Sequence, residues 1–394
     1  MASCNLKTFP NFLRYQSGLH DLNLSYNQIQ GTVSKWISRL DSLDYLDISH
    51  NFLTNFEGPL QNRTHNLYSL YLQFNKLQEQ IPGFLHYASF VDYSSNNFSF
   101  VIPADIGHYM SDIFYVSLAN NSFHGSIPHS LCNASNLQVL DLSNNKISGK
   151  VPQYISKNWK AMMSNVGEDQ SKVEHLDFPV GDIYYQDSIT VTSKGQQIVL
   201  VKILTTFISI DFSHNQFEGP IPKELMDLNA LYVLNLSSNG LSGRIPSTIE
   251  NLIRLESLDL SKNSLEGEIP NNLASLSFLS ALNISYNHLI GKIPPSTQLQ
   301  SFEASSFESN NGLYGPPLTK TPDHGMHTLP PLAMPPCGSL ACEVHWNLVS
   351  AELGSVFGLG IVIVPLLFWK KWRLQYWQFL DRILCRIFPQ LCVE

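Results

Sequence analysis

The chain has 394 residues and a formal net charge of −8 at pH 7, with 24 Lys and Arg against 32 Asp and Glu. This mildly acidic balance gives no indication of a nucleic-acid partner, because phosphate-binding surfaces are rich in basic residues. A chain of this length commonly forms two or three domains, whereas a repeat array extends one core without dividing it. Regular repetition along the sequence favours the second arrangement.

The chain begins MASCN, and no charged segment followed by an apolar segment precedes the first repeat. A secretory signal peptide is therefore not visible. Ser3-Cys4-Asn5 is similar to the end of a repeat strand, and no polar cap covers the first apolar face. We expect that an N-terminal portion of the protein is missing from this chain, since a genuine cytosolic start fits the other features poorly.

Ten asparagines recur in one register, each after a run close to L-x-x-L-x-L-x-x-N, and most are 24 residues apart. A period of about 20–29 residues with this pattern is typical of a leucine-rich-repeat solenoid. We therefore predict an α/β-type solenoid, a curved superhelix of short parallel strands, with one strand in each repeat. The repeat asparagines are Asn27, Asn51, Asn75, Asn96, Asn121, Asn145, Asn215, Asn239, Asn263 and Asn287.

The residue types of the repeat have physical roles. The leucines of each strand point into a core that neighbouring repeats share. An Asn amide both donates and accepts, so it can satisfy backbone groups left without partners where the chain turns after the strand. The glycine of the Gly-x-Ile-Pro turn permits a tight backbone, and the proline prevents a helix from beginning early.

The repeat pattern divides the first part of the chain. Residues 1–153 form an N-terminal block of repeats, and an insertion at 154–207 separates the units of Asn145 and Asn215. Alternating residues on both sides of Lys194-Gly195 predict a β-hairpin within the insertion. The insertion is either a tolerated loop or an island domain that shapes a ligand surface, and its length favours the island. Its ligand-binding candidates are Trp159, Tyr184, Tyr185 and Asp187.

The later segments run from repeats to a membrane anchor. A second block of repeats at 208–294 precedes a C-terminal cap and Pro-rich spacer at 295–346. Residues 347–369 are apolar and long enough to form a transmembrane helix across about 30 Å of hydrocarbon. The lysine pair that follows places the short tail, 370–394, in the cytoplasm and the repeats outside.

The predicted transmembrane helix carries a candidate partner face. Ser350, Gly354 and Gly358 are spaced by four residues, which lets a second helix approach closely. We include Glu352 in this partner face as a polar contact, because it lies near the outer boundary of the membrane. Cys385 and Cys392 in the tail are either acylated or reduced thiols, and Cys337 and Cys342 are either a disulfide or two thiols.

No catalytic motif is present in the sequence, and the histidines are scattered over turns and linker. We therefore predict that the protein is not an enzyme and uses no cofactor or metal. Sequons of the form N-x-[ST] indicate N-glycosylation, although the repeat motif itself generates three of them. The candidates are Asn23, Asn62, Asn97, Asn120, Asn133, Asn235 and Asn283.

The combination of LSGxIP repeat units, YYQDSITVTSKG, and ELGSVFGLGIVIVPLLFWKKWR resembles the plant receptor-like proteins, kinase-less leucine-rich-repeat receptors of the cell surface. In that family a Cys stands where this chain has Tyr314, so one half of a cap disulfide is absent. The resemblance implies a single-pass protein of the plasma membrane with its ectodomain outside.

The resemblance also implies the partners. These are an extracellular peptide, protein or glycan-derived ligand, together with adaptor and co-receptor leucine-rich-repeat receptor kinases. The adaptor kinase would meet the transmembrane partner face, and the co-receptor would meet the units around Asn239, Asn263 and Asn287. Signalling in plant defence is the expected role. The alternatives are a developmental receptor, a soluble-type inhibitor of wall-degrading enzymes, and a truncated product that does not signal.

Overall fold

A computed structural model describes residues 1–58, 67–78, 81, 88–110, 112–163, 189–193, 196–200 and 207–318. The chain divides into two units, Met1–Asp323 and His324–Glu394, and the described residues all belong to the first. The predicted transmembrane helix and cytoplasmic tail lie outside the described residues. Within the described ranges, no helix is both long enough and apolar enough to span a membrane.

Ten short parallel strands form the first sheet, in chain order, within the described part of the chain. The middle residue of each strand points into the hydrophobic core, as Leu46 and Leu258 do at 1% exposure each. Since side chains alternate along a strand, the flanking residues lie on the opposite side, here called the outward face. The strands are Asp21–Asn23, Tyr45–Asp47, Ser69–Tyr71, Phe90–Asp92, Tyr115–Ser117, Val139–Asp141, Ser209–Asp211, Val233–Asn235, Ser257–Asp259 and Ala281–Asn283.

The repeat asparagines form a ladder of hydrogen bonds beside this sheet. The Asn263 Oδ1 accepts from the Leu241 N–H at 3.0 Å, and its Nδ2 donates to the Leu236 carbonyl at 3.0 Å and the Leu260 carbonyl at 3.1 Å. The bonds to Leu241 and Leu236 join one turn to its neighbour, and the bond to Leu260 lies within the turn. All ten predicted asparagines accept a backbone N–H bond from the preceding turn, so their structural role is confirmed. An eleventh rung, Asn310, accepts from the Leu289 N–H at 3.0 Å.

A second strand follows the asparagine in most repeats, so the prediction of one strand for each repeat was incomplete. Within the described residues these strands form a parallel seven-stranded sheet. Gly267, inside one of them, has φ +80°, a conformation that costs glycine little and a side-chain-bearing residue more. The strands are His124–Gly125, Lys146–Lys150, Gln216–Pro220, Gly240–Gly243, Ser264–Glu268, His288–Lys292 and Gly312–Tyr314.

The early repeats depart from this second sheet. Gln30–Val33 pairs with Phe52–Phe56 as a separate two-stranded sheet, and the register shifts between Gly31 and Thr32. This is the region in which the Gly-x-Ile-Pro turn is degenerate in sequence, with Glu57 and Gly58 in its place. The loss of the regular turn therefore coincides with a break in the second sheet.

Short 3-10 helices complete the repeats. Several begin directly after the repeat proline, as at Pro270, whose φ of −63° suits the first turn of a helix. The Leu273 N–H then donates to the Pro270 carbonyl at 3.0 Å. They span Asn11–Tyr15, Lys35–Arg39, Ile106–Tyr109, His129–Asn133, Gln153–Lys157, Lys160–Met162, Lys223–Asp227, Ser247–Asn251, Asn271–Ser275 and Ala304–Phe307.

The solenoid extends further toward the insertion than the sequence predicted. Trp159 and Met162 are fully buried in the same core as the repeat leucines. The Met162 carbonyl accepts from the Ala230 N–H at 3.1 Å, which joins it to the following repeat. Residues up to Met162 therefore pack with the repeats, although they fall within the predicted insertion, 154–207.

The predicted hairpin in the insertion is confirmed. Ile189–Ser193 pairs antiparallel with Gln196–Leu200, and Ser193 is the register partner of Gln196. The two paired strands therefore lie on either side of residues 194–195, as the alternating sequence indicated.

The last repeat also continues past the predicted boundary at residue 294. An α-helix at Thr297–Ser301 is capped by Ser296, whose Oγ accepts from the Leu299 N–H at 3.0 Å. The strand Gly312–Tyr314 then pairs with His288–Lys292. Leu299, Phe307 and Leu313 are buried, so this segment covers the core with one more rung.

Candidate functional site

A groove of about 1030 Å³ lies on the outward face of the first sheet. Small polar side chains line most of it, and the aromatic rings of Tyr286 and Phe302 form part of its wall. Serine hydroxyls both donate and accept hydrogen bonds, so such a surface suits a ligand with many polar groups. The described polar lining includes Ser143, Asn144, Ser213, His214, Asn235, Ser238, Asp259, Ser261, Lys262, Asn283, Glu303, Ser305, Ser306 and Glu308.

A row of aspartate and asparagine side chains forms the floor beneath the groove. The Asp259 Oδ1 accepts from the Ser261 N–H at 2.9 Å, which fixes the carboxyl group at the end of its strand. The Asn235 Nδ2 donates to the Asp211 Oδ2 at 3.1 Å, and the Asn283 Nδ2 donates to the Asp259 Oδ2 at 3.4 Å. Amide groups thus alternate with carboxyl groups along this part of the sheet.

The alternation fails at one place, where two aspartates are neighbours. Asp141 and Asp211 are register partners on adjacent strands. Each Oδ1 accepts from a backbone N–H, from Ser143 and Ser213 respectively, at 2.9 Å. Burial raises the pKa of both carboxyl groups, and the charge of Asp211 raises the pKa of Asp141 further.

The N-terminal half of the outward face is aromatic instead of polar. Five side chains, here called the aromatic cluster, are buried although they point away from the main core: Tyr45, Tyr71, Phe90, Tyr115 and Val139. Successive rings in the cluster lie about 6 Å apart, a separation at which aromatic pairs attract.

A carboxyl group with a raised pKa, that of Asp92, lies beside the aromatic cluster. Asp92, on the same strand as Phe90, is only 8% exposed. Burial raises the pKa of its carboxyl group to about 6, against the lowering effect of hydrogen bonds from Ser94. Tyr115 also contacts this carboxyl group, and burial raises the pKa of its own hydroxyl.

Phe207 is the last residue of the predicted insertion, 154–207, and it packs against the aromatic cluster. Its ring also stacks on Tyr232, with the centroids 6.2 Å apart. The chain therefore returns from the insertion beside the aromatic cluster.

Three stacked rings occupy the ridge where the chain turns after its strands. The ring centroids of Tyr26 and His50 are 4.0 Å apart, and those of His50 and Phe74 are 4.3 Å apart. All three residues have positive φ, directly before a repeat asparagine. Burial lowers the pKa of the His50 imidazole. The sequence does contain a signal for this stack, because an aromatic residue stands directly before the repeat asparagine in three consecutive units.

The structure corrects one predicted ligand contact. Trp159 has no exposed surface, and its indole Nε1–H donates to the Leu131 carbonyl at 3.1 Å. A side chain enclosed in the core cannot contact a ligand, so the prediction for Trp159 was wrong. The other ligand-binding candidates, Tyr184, Tyr185 and Asp187, lie outside the described residues. So do Ser350, Glu352, Gly354 and Gly358 of the partner face.

The seven sequons fall into distinct environments. Asn97, Asn120 and Asn133 are exposed. Asn235 is 8% exposed, and Asn23 and Asn283 are half-buried. The side chains of Asn23, Asn235 and Asn283 are hydrogen-bonded within the sheet. Asn62 lies outside the described residues.

Among the residues that the structure describes, no group of three or more His, Cys, Asp or Glu side chains has an arrangement that could hold a metal ion. Cys4 and Cys132 are free thiols, the first exposed and the second buried.

The stacked strands and the asparagine ladder define a leucine-rich-repeat solenoid. Residues 17–77 and 230–289 match the family described as "Leucine rich repeat", and residues 136–158 match a second family of the same description. A plant ice-binding protein and a TDR receptor share the fold, each with a TM-score of 0.55 and 24% identity. The alignments cover 78% of this chain in both cases, and 83% and 53% of the respective structures.

The relatives in sequence are receptor-like proteins by name. Receptor-like protein 19 of Arabidopsis thaliana is 35% identical over 93% of this chain and 46% of its own length. Receptor-like protein 53 of the same plant is 34% identical over 60% of this chain and 32% of its own length. This chain belongs to the plant leucine-rich-repeat receptor-like proteins. It spans about a third to a half of the length of these curated relatives.

Proposed function

We propose that this chain is part of a cell-surface receptor that binds an extracellular ligand in the groove on the outward face. The groove carries this proposal because it combines a volume of about 1030 Å³ with polar side chains from successive repeats. Ligand sites are concave and place a few polar groups to fix orientation. The kinship with receptor-like proteins supports the same role.

A groove-filling variant tests the site. Ala281 lines the groove on a strand, so Ala281→Trp should occupy it without adding charge. Ser264→Trp, at an exposed position in the second sheet, is the matched control. Peptides selected from a random phage-displayed library on the full chain should lose binding to Ala281→Trp and keep binding to Ser264→Trp. Equal binding to both variants would place the ligand site elsewhere.

The insertion is proposed to shape the ligand surface as an island domain. Phe207 supports this idea, because the chain rejoins the solenoid beside the aromatic cluster on the outward face. Replacing residues 164–206 with a short Gly-Ser linker should leave a folded solenoid that has lost ligand binding. Circular dichroism and thermal melting would measure the fold. Unfolding of this variant would show that the insertion is instead a structural element.

Signalling is proposed to depend on partner receptor kinases, with the protein anchored once in the plasma membrane. The sequence supports this arrangement through the apolar segment at 347–369 and the short tail after it. We propose that this signalling acts in plant defence. Endoglycosidase treatment of the membrane-bound chain tests the topology, because translocated repeats would shift in mobility. An unshifted full-length chain would place the repeats on the cytoplasmic side.

A further inference from the structure

The sequence contains two Asn-Gly dipeptides, Asn239-Gly240 and Asn311-Gly312, and the structure places them in different environments. An asparagine before glycine is chemically labile, because glycine has no side chain to keep the next backbone nitrogen away from the asparagine amide. Whether the amide reaches that nitrogen depends on how the asparagine side chain is held. The two dipeptides therefore allow a comparison within one chain.

Asn239 is a rung of the asparagine ladder, and its side-chain amide is fixed in place. Its Oδ1 accepts from the Phe217 N–H at 3.0 Å, and its Nδ2 donates to the Phe212 carbonyl at 2.9 Å. The Nδ2 also donates to two carbonyls of its own turn, at 3.2 and 3.1 Å. These hydrogen bonds oppose rotation of the amide toward Gly240.

Asn311 follows the last rung, Asn310, and is held differently. Its side chain is exposed, and within the described residues its amide has no hydrogen-bond partner, whereas Asn310 is 1% exposed. Gly312 begins the last strand of the second sheet, which among the described strands is paired on one side only. Such an edge opens locally more readily than the interior of a sheet. The Asn311 amide is therefore the one free to approach its glycine.

The packing of the last rung requires glycine at residue 312. A Cβ at this position would overlap the Ile290 side chain, so a larger residue would displace the strand. The next residue, Leu313, is 1% exposed, and the Ile293 N–H donates to the Tyr314 carbonyl at 3.0 Å. The rung that covers the core is therefore built with a labile dipeptide where its strand begins.

We propose that Asn311 is a site of spontaneous deamidation and isoaspartate formation in the folded protein. The Gly312 nitrogen attacks the Asn311 Cγ, the bond from Cγ to the amide nitrogen breaks, and that nitrogen leaves as ammonia with the Gly312 proton. Water then opens the resulting succinimide at one of its two carbonyls, which gives aspartate or isoaspartate. Water is the only co-reactant, and no atom is oxidised or reduced.

Isoaspartate formation loosens the last rung. It lengthens the backbone between residues 311 and 312 by one carbon, directly before the strand Gly312–Tyr314. Over the longer path this strand loses its register with His288–Lys292, so Leu313 leaves the core and apolar surface is exposed to water. The consequence is lower stability at this end of the solenoid, independent of any ligand.

The test incubates the folded full chain in mildly alkaline heavy-oxygen water, without any enzyme, and maps the label by peptide mass spectrometry. Opening of the succinimide adds an oxygen atom from water. Asn311 should gain this label at least about tenfold faster than Asn239, whose hydrogen bonds raise the barrier. In denaturant the two asparagines should gain label at similar rates, because both precede glycine.

Two variants separate the effects of the modification. Asn311→Gln keeps an exposed amide, but its extra methylene disfavours ring closure, so residue 311 should gain no label. Its melting temperature should hold during incubation, while that of the parent falls as isoaspartate accumulates. Asn311→Asp carries the new charge without the longer backbone, and freshly prepared it should melt like the fresh parent.

Three results would overturn the proposal. Equal labelling of Asn239 and Asn311 in the folded protein would mean that the side-chain environment does not select the site. Label at neither asparagine in the folded protein, with both labelled in denaturant, would mean that the last strand protects Asn311. A melting temperature that falls equally in Asn311→Gln and in the parent would assign the loss of stability to another residue.

Discussion

Asp141 and Asp211 are register partners on adjacent parallel strands, although the insertion separates the two strands in sequence. Elsewhere on the same row an asparagine amide donates to the neighbouring aspartate, as Asn235 does to Asp211. The pair therefore brings two carboxyl groups together where the solenoid resumes after the insertion. Their raised pKa values follow from burial and from their shared surroundings.

The free energy of unfolding should fall as pH rises, because the pKa values of Asp141 and Asp211 are raised in the folded protein. The ordinary pKa of an aspartate is 3.8, so the unfolded chain releases this proton above pH 3.8. The folded protein still holds it there, because the pKa of the folded state is raised. The resulting stabilisation is complete below that value and is lost as pH rises through the folded pKa. The charged and titratable groups near Asp141 are Asp211, Asp92 and Tyr115.

Asp141→Asn should reduce this pH dependence and stabilise the protein by roughly 1–2 kcal/mol at about pH 8. The amide removes one charge and can donate to Asp211 from the other side. Denaturant unfolding at about pH 5 and pH 8 measures the effect. Asp227→Asn, at an exposed position, is the control. An unchanged pH slope in Asp141→Asn would show that the pair does not titrate as described.

Asn263→Ala should destabilise the solenoid by about 2–4 kcal/mol. The substitution leaves the Leu241 N–H and the Leu236 and Leu260 carbonyls without their side-chain partner. Asn251→Ala, at an exposed position of a 3-10 helix, should cost far less. Thermal melting compares the two variants, and similar costs would contradict a structural ladder.

Trp159→Phe should cost about 1–2 kcal/mol of stability, because the buried Leu131 carbonyl loses its indole donor. Trp159→Ala should cost about 3–5 kcal/mol, since it also opens a cavity. Neither variant should change ligand affinity under conditions in which it remains folded. A selective loss of binding in Trp159→Phe would restore Trp159 as a ligand contact.

Glycans should be found at Asn97, Asn120 and Asn133 of the folded, membrane-bound protein, and Asn235 should be unmodified. The first three side chains are exposed, whereas the Asn235 side chain is only 8% exposed and its amide donates to Asp211 inside the sheet. Peptide mass spectrometry after enzymatic deglycosylation in heavy-oxygen water distinguishes the sites. A modified Asn235 in folded protein would mean that the sheet opens at this position.

Gly354→Leu/Gly358→Leu should weaken association with an adaptor kinase sharply while leaving membrane insertion unaffected. Leucine keeps the segment apolar, but its bulk prevents the close approach that small residues allow. Glu352→Gln alone should do less, because a polar pair there contributes about 1 kcal/mol or less. Co-precipitation measures both variants. Undiminished association in the double variant would move the contact to the ectodomain.

The sequence by itself determined the repeat. The period of 24, the strand leucines and the asparagines specify local contacts between neighbouring turns, and these contacts are the same in every unit. The hairpin around Lys194-Gly195 was predictable for a similar reason, since alternation and a glycine turn act over a few residues. Asn310 was missed because phenylalanines replace the leucines of its unit.

Only the tertiary structure decided which side chains are enclosed and which strands are neighbours. Trp159 resembled a ligand contact in an irregular stretch, but the space left by missing leucines placed it in the core. The pairing of Asp141 with Asp211 depends on two strands that the insertion separates in sequence. Burial and charge proximity are properties of packed neighbours, so no local pattern indicated the aromatic cluster or the raised pKa values of Asp141 and Asp211.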